Sequence, residues 1–303
     1  MCPAGHTVIR QASGPPGVLA SGPVCTVRHR RPSAGPRALL LHGLANGPSV
    51  WDPLAGTDAA GLDLWTADLP WGGAHPPDWA YRPDATWAIA EALKQVPGGA
   101  GTVVAHSFSA LLLMELITDE LARGGDPFGR YGIDAVVFAS PFYRRSPETF
   151  EYSVVGELLE NFRLTMDEGI RVMAGPRLDP ALRHDMAQRV CDRVGPYGYM
   201  SFFRSYLRTP WLRTDLFTVP ALVIGGEQDF TAVPAESRAL TDALPDARCR
   251  FIPGAGHFPM VEQADVFAAE IGDFLGSIGL TEPQGVSGGR APALDPSLDH
   301  QGA

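Results

Sequence analysis

Apolar residues along this chain concentrate in short runs, several of them continuous, that predict strands at 38–42, 62–67, 102–106, 134–139, 220–225 and 247–252. Several of these runs do not alternate with polar positions, which is the pattern of a parallel strand covered on both faces. A further strand is expected at 24–29, inside a Gly- and Pro-rich opening segment. Between the runs, apolar residues recur at three- and four-residue intervals over 85–96, 234–244 and 262–275, and 108–123 is apolar around much of its circumference. These are the patterns of helices packed on a sheet. Asp84 offers an N-cap to the first of them, and Gly98 with Gly99 ends it. Strands alternating with helices place the chain in the α/β class, with a mostly parallel, doubly wound sheet.

One stretch breaks the alternation. Residues 144–215 contain no convincing strand; helices are expected at 148–169, 179–194 and 200–207, separated by Gly175-Pro176 and Gly195-Pro196. This segment reads as a helical cap inserted into a core made of 1–143 and 216–280. Residues 281–303 are rich in Gly and Pro and hold no aromatic residue, so a disordered tail is expected there.

Composition narrows the function classes. Hydrophobic residues make up 45% of the 303 and charged ones 19%, enough apolar side chain for a large core. The net charge is −10 and Lys94 is the sole lysine, which argues against nucleic acid or an anionic membrane as partner. The longest apolar run, 110–114, is too short to cross a bilayer, and the opening residues lack the basic and apolar regions of a secretion signal. Cys2, Cys25, Cys191 and Cys249 lie far apart with no Cys-x-x-Cys pair. Neither a zinc site nor a disulfide framework is expected, and free thiols fit a cytoplasmic location. No metal or organic cofactor is called for.

The candidate chemistry lies at the strand ends. Ala105, His106, Ser107, Phe108 and Ser109 occupy the junction of a buried strand and a buried helix. Such a tight turn lifts the Ser107 hydroxyl above the sheet and requires small residues two before and two after it; Ala105 and Ser109 satisfy that, although glycine is usual at both. After the next strand beyond the cap comes Gly225-Gly226-Glu227-Gln228-Asp229, and after the last strand Gly254-Ala255-Gly256-His257. Nucleophile, acid and histidine in that order, each following a strand, reproduce an acyl-transfer triad at the carboxyl edge of a parallel sheet. Glu227 is the alternative acid. Upstream, Leu41-His42-Gly43-Leu44 also follows a buried strand, and the amides of Leu44 and Phe108 are the expected oxyanion donors. Trp71, His106, Phe142 and Phe258 are the candidates for substrate contact. His75 is expected at the surface, and Asp68 is expected to fix its own loop.

These motifs resemble the α/β-hydrolase fold superfamily over about residues 37–275. The carriers are Leu41-His42-Gly43, the Ser107 elbow, the Glu227-to-Asp229 block and Gly254-Ala255-Gly256-His257-Phe258-Pro259. The resemblance implies Ser107 as nucleophile, Asp229 as acid and His257 as base, and the insertion is similar to the cap of the epoxide-hydrolase-like and carbon-carbon-hydrolase-like branches. Epoxide hydrolases and dehalogenases of that superfamily use an aspartate nucleophile, so Ser107 argues against both chemistries. Trp71 stands where relatives usually carry glycine and is expected to crowd the site entrance.

The expected function is therefore a serine hydrolase acting on an ester or thioester of an apolar acyl compound. Two rivals remain: a cyclase, acyltransferase or lyase of secondary metabolism using the same three residues, and a ligand-binding module that inherited the site. The cap holds nine aromatic residues and four of the seven methionines, material for both cap packing and a substrate cavity.

Overall fold

The computed structural model describes residues 25–57, 61–175 and 177–280; the tail expected at 281–303 and the first residue of the strand expected at 24–29 lie outside the described residues. Seven strands form one sheet: β1 (Thr26–Arg31), β2 (Arg37–Leu41), β3 (Asp63–Asp68), β4 (Gly101–His106), β5 (Ile133–Ala139), β6 (Ala221–Gly226) and β7 (Ala247–Ile252). Their order is β1-β3-β2-β4-β5-β6-β7. β1 runs antiparallel to β3, and every other pairing is parallel.

Alternate residues of the inner strands feed two apolar layers. Leu39, Leu41, Val103, Val136, Phe138 and Val223 point to one face, where they meet α2 (Thr86–Lys94) and α3 (Phe108–Ala122). Ala38, Leu40, Val104, Val137, Leu222 and Ile224 point to the other. There they meet Leu54 of α1 (Asp52–Gly56). Burial on both faces explains why the strands read as unbroken apolar runs. α2 starts one residue later than expected, with Ala85 at the N-cap position, and Asp84 just before it accepts from the Thr86 amide through Oδ1 at 2.8 Å. α1 and α4 (Pro127–Tyr131) are single turns too short to show a period in the sequence.

After β5 the chain leaves the sheet for α5 (Tyr152–Ala174) and α6 (Pro180–Leu207), and returns to β6, α7 (Pro234–Ala243), β7, α8 (Pro259–Glu262) and α9 (Ala264–Ser277). α5 starts four residues later than the sequence suggests because Pro147–Thr149 form a separate 3-10 turn. It continues through Gly169 to Gly175, whose φ of 75° ends it. The break expected at Gly195-Pro196 is a kink, with Gly195 at φ 62° and ψ 178°, and α6 resumes beyond it. Two buried carboxylates dock this insertion. Glu115 of α3 accepts from Ser205 Oγ at 2.7 Å and pairs with Arg208. Glu236 of α7 accepts from the Tyr143 amide at 3.0 Å and from the Tyr206 hydroxyl, and lies 3.3 Å from Arg144 Nε. Among the described residues no helix is long and apolar enough to cross a membrane.

Because the strands from β2 onward run parallel, the segments that follow β2, β4, β6 and β7 emerge at one edge of the sheet. The chain passes from β2 to β3 on one side and then to β4 on the other, which opens a crevice beyond the carboxyl ends of β2 and β4. The candidate side chains all rise at this edge.

Candidate active site

Ser107 links β4 directly to α3 at φ 54° and ψ −117°, a conformation that costs a non-glycine residue about 1–3 kcal/mol. The surroundings hold it there: its amide donates to Ala139 O at 2.9 Å, and its carbonyl accepts from the Ala110 amide at 2.9 Å. Both flanking residues are fully buried. The departure from glycine at the second flank has a use that the sequence did not reveal, for Ser109 Oγ donates to the carbonyl of His42 and ties the elbow to the loop after β2.

His257, in the loop after β7, reaches both partners. The Ser107 hydroxyl donates to His257 Nε2 over 3.0 Å, and His257 Nδ1 donates to Asp229 Oδ2 over 2.8 Å. A carboxylate can only accept, so the proton belongs on Nδ1 and leaves Nε2 free to accept from the serine. Asp229 Oδ1 accepts from the amides of Thr231 and Ala232, both at 2.9 Å, which fixes the carboxylate plane. Exposure of Ser107, His257 and Asp229 is 6%, 3% and 3%. Glu227 lies at the exposed surface, so the structure brings Asp229, not Glu227, to the imidazole.

The turn after β2 closes over this pair. A methyl group on Gly43 would sit 3.1 Å from Ser107 Cβ and 2.8 Å from His106 Nδ1, so only glycine lets the turn approach this closely. Among the described residues, neither the Leu44 nor the Phe108 amide donates to a protein acceptor. His42 organises the turn: its Nδ1 donates to Gly43 O at 2.9 Å and its Nε2 accepts from the Leu69 amide at 3.1 Å. Gly43→Ala is expected to displace the Leu44 amide and lower kcat about 10²–10³-fold, as loss of one oxyanion donor does, with the far-ultraviolet spectrum unchanged.

Of the four residues expected to contact substrate, Phe258 lines a cavity of about 320 Å³ under α5 and α6. His106 and Phe142 do not; both are fully buried behind His257. His106 Nε2 donates to the His257 carbonyl at 2.9 Å, and the Phe142 ring lies 6.0 Å from the imidazole and 4.9 Å from Phe202. Trp71 is buried against Phe108 and Trp79, its Nε1 donating to His42 O at 3.2 Å. It braces the turn from a slit beside the cavity and does not stand in the entrance. His75 is half-buried, not a free surface group, and pairs with Asp68 at 2.8 Å, which fixes that loop as expected. Glu236 carries no signal in the sequence, since an acid in the first turn of a helix reads as ordinary dipole compensation. Burial pushes its carboxyl up to about 7. Among the described residues no group of three or more His, Cys, Asp or Glu is arranged to hold a metal ion.

Burial also holds His42 neutral, its pKa lowered to about 4 from 6.5, and keeps that of His106 well below 6.5, with His257 nearby adding to the effect. Below about pH 6.5 the unfolded chain takes up protons that the folded chain refuses until about pH 4, so stability falls across that window as the pH drops. His42 accounts for roughly 3 kcal/mol of the loss. Urea midpoints measured at pH 7, 6, 5 and 4 test this, and a His42→Asn variant is expected to flatten the decline.

Comparison with known proteins agrees with this architecture. The sequence model of the alpha/beta hydrolase family matches residues 38–270. A comparison with curated proteins found no significant match. Among solved structures, an esterase from Exiguobacterium antarcticum is similar at TM-score 0.59 and 14% identity, covering 83% of this chain and 95% of that one. The enol-lactonase from Burkholderia xenovorans LB400 gives 0.54 and 21%, covering 84% and 96%. The bromoperoxidase from Bacillus anthracis gives 0.55 and 21%, covering 83% and 94%. At these identities the likeness speaks to the fold, while the family match spans most of the sequence, from β2 into α9: the chain belongs to the alpha/beta hydrolase family.

Proposed function

We propose that the protein is a serine hydrolase that cleaves an ester or thioester of an apolar acyl compound through an acyl-enzyme. The observation that carries this reading is the unbroken relay from Ser107 Oγ to His257 at 3.0 Å and from His257 to Asp229 at 2.8 Å. A serine hydroxyl is a weak nucleophile at neutral pH, and an imidazole within hydrogen-bond reach removes that limit. His257 Nε2 takes the Ser107 proton as the oxygen attacks the carbonyl carbon, and Asp229 stabilises the imidazolium that forms. The negative charge on the carbonyl oxygen falls to the amides of Leu44 and Phe108. His257 then gives its proton to the departing alcohol or thiol, and afterwards takes one from the water that releases the acid.

The near-complete burial of Ser107 favours one second reading, in which the acyl-enzyme passes to a substrate nucleophile and not to water. Turnover in ¹⁸O water separates the two, since hydrolysis places label in the acid product. The test of the first reading is labelling by a fluorophosphonate probe. Wild-type protein is expected to react within minutes, and Ser107→Ala and His257→Ala not at all; undiminished labelling of Ser107→Ala would dismiss the assignment.

A further inference from the structure

The cavity of about 320 Å³ runs between α5 and α6, and its walls carry no charged side chain. Met166, Met173 and Met186 give it unbranched apolar surfaces that adapt to a flexible guest, and Ile170 and Val190 complete the apolar walls. Its inner end is formed by Ala45 and Phe258, the chain neighbours of Leu44 and His257. Its outer end reaches solvent, where Met173 is 44% and Met186 38% exposed. The inner wall depends on one position in α5. Gly169 sits against the Phe258 ring so closely that a Cβ there would meet Cζ at 2.8 Å, and the Phe258 ring lies 5.2 Å from that of His257. Glycine within a helix forgoes about 1 kcal/mol relative to alanine, so this contact is kept against local preference.

We infer that this groove holds a straight, flexible acyl chain, carboxyl end at Ser107 and far end toward Met173 and Met186, and that the Gly169–Phe258 contact sets how much of the chain enters. The inference rests on the acyl-transfer reading for the chain's direction. Any side chain at 169 must either lift α5 or turn the Phe258 ring into the groove, and the second narrows it where the chain begins. A charged acyl group meets no charged partner along these walls, whose one polar side chain is Asn46 beside Ala45 at the inner end.

The test uses ethyl esters from acetyl to octanoyl, binding to full-length Ser107→Ala by calorimetry, with turnover of the same series by the wild type. Affinity is expected to rise about fourfold per methylene until the chain reaches solvent. Adding Gly169→Ala is expected to abolish that rise beyond the shortest members, and Phe258→Leu in the same protein to restore it. Affinity that is flat across the series, or a folded Gly169→Ala protein that keeps the parent profile, overturns the inference. If binding follows chain length while the wild type turns over no member, the groove stands and the hydrolase reading falls. If acetyl ester is turned over while binding ignores chain length, the reverse holds.

Discussion

Ser107→Ala is expected to lower kcat toward an activated ester by on the order of 10⁶-fold, the loss seen when the nucleophile of a comparable triad is removed. The size of the effect follows from the lack of a substitute: among the described residues, Ser107 Oγ is the hydroxyl that His257 Nε2 holds, at 3.0 Å. Stability is expected to change little. Alanine inherits the same unfavourable backbone conformation at φ 54°, and only the single hydroxyl bond is given up. Glycine adopts that conformation without strain, so Ser107→Gly is expected to melt above Ser107→Ala while being equally inactive. Steady-state kinetics with thermal melts of the three proteins checks both parts. Appreciable turnover by either variant would remove the covalent route.

Asp229→Asn is expected to cost about 10⁴-fold in kcat. The reason can be read from the acceptor geometry. Oδ1 accepts from the amides of Thr231 and Ala232, so an asparagine must keep its carbonyl oxygen there and turn its NH₂ toward His257. That group donates to Nδ1, which obliges the imidazole to carry its proton on Nε2, facing Ser107. The histidine can then no longer accept the serine proton. Asp229→Ala leaves the ring free to choose its tautomer and is expected to retain more activity than the asparagine variant. The opposite ranking would mean that the tautomer does not decide the rate and that Asp229 acts mainly by holding the ring in place.

The sheet was legible because the parallel strands β2 to β6 are largely buried on both faces and rich in apolar residues, whereas β7, half-exposed at the edge, carries two arginines. The reacting groups were legible because chemistry and topology tie them to strand ends, in a fixed chain order. What the sequence withheld has a common cause: it concerns which side of a neighbour a side chain faces. His106 and Phe142 flank strand ends like true contact residues, yet both pack behind His257. Ser109 looked like a tolerated departure from glycine and turned out to hold the carbonyl of His42. Glu236 is separated from Tyr206 by 30 residues and from Tyr143 by 93, and no local pattern links them.

That last carboxylate bears on how such an enzyme diversifies. Tyr143 just before the insertion, Arg144 at its start and Tyr206 near its far end converge on one acid that lies outside it. A transplanted lid of different sequence would need to bring donors to the places of Arg144 and Tyr206, or else leave a buried carboxyl held by the Tyr143 amide alone. Chimeras that exchange this module should therefore succeed or fail on how they meet Glu236 and Glu115, and a library of swapped lids could be sorted in advance by whether they carry partners for both.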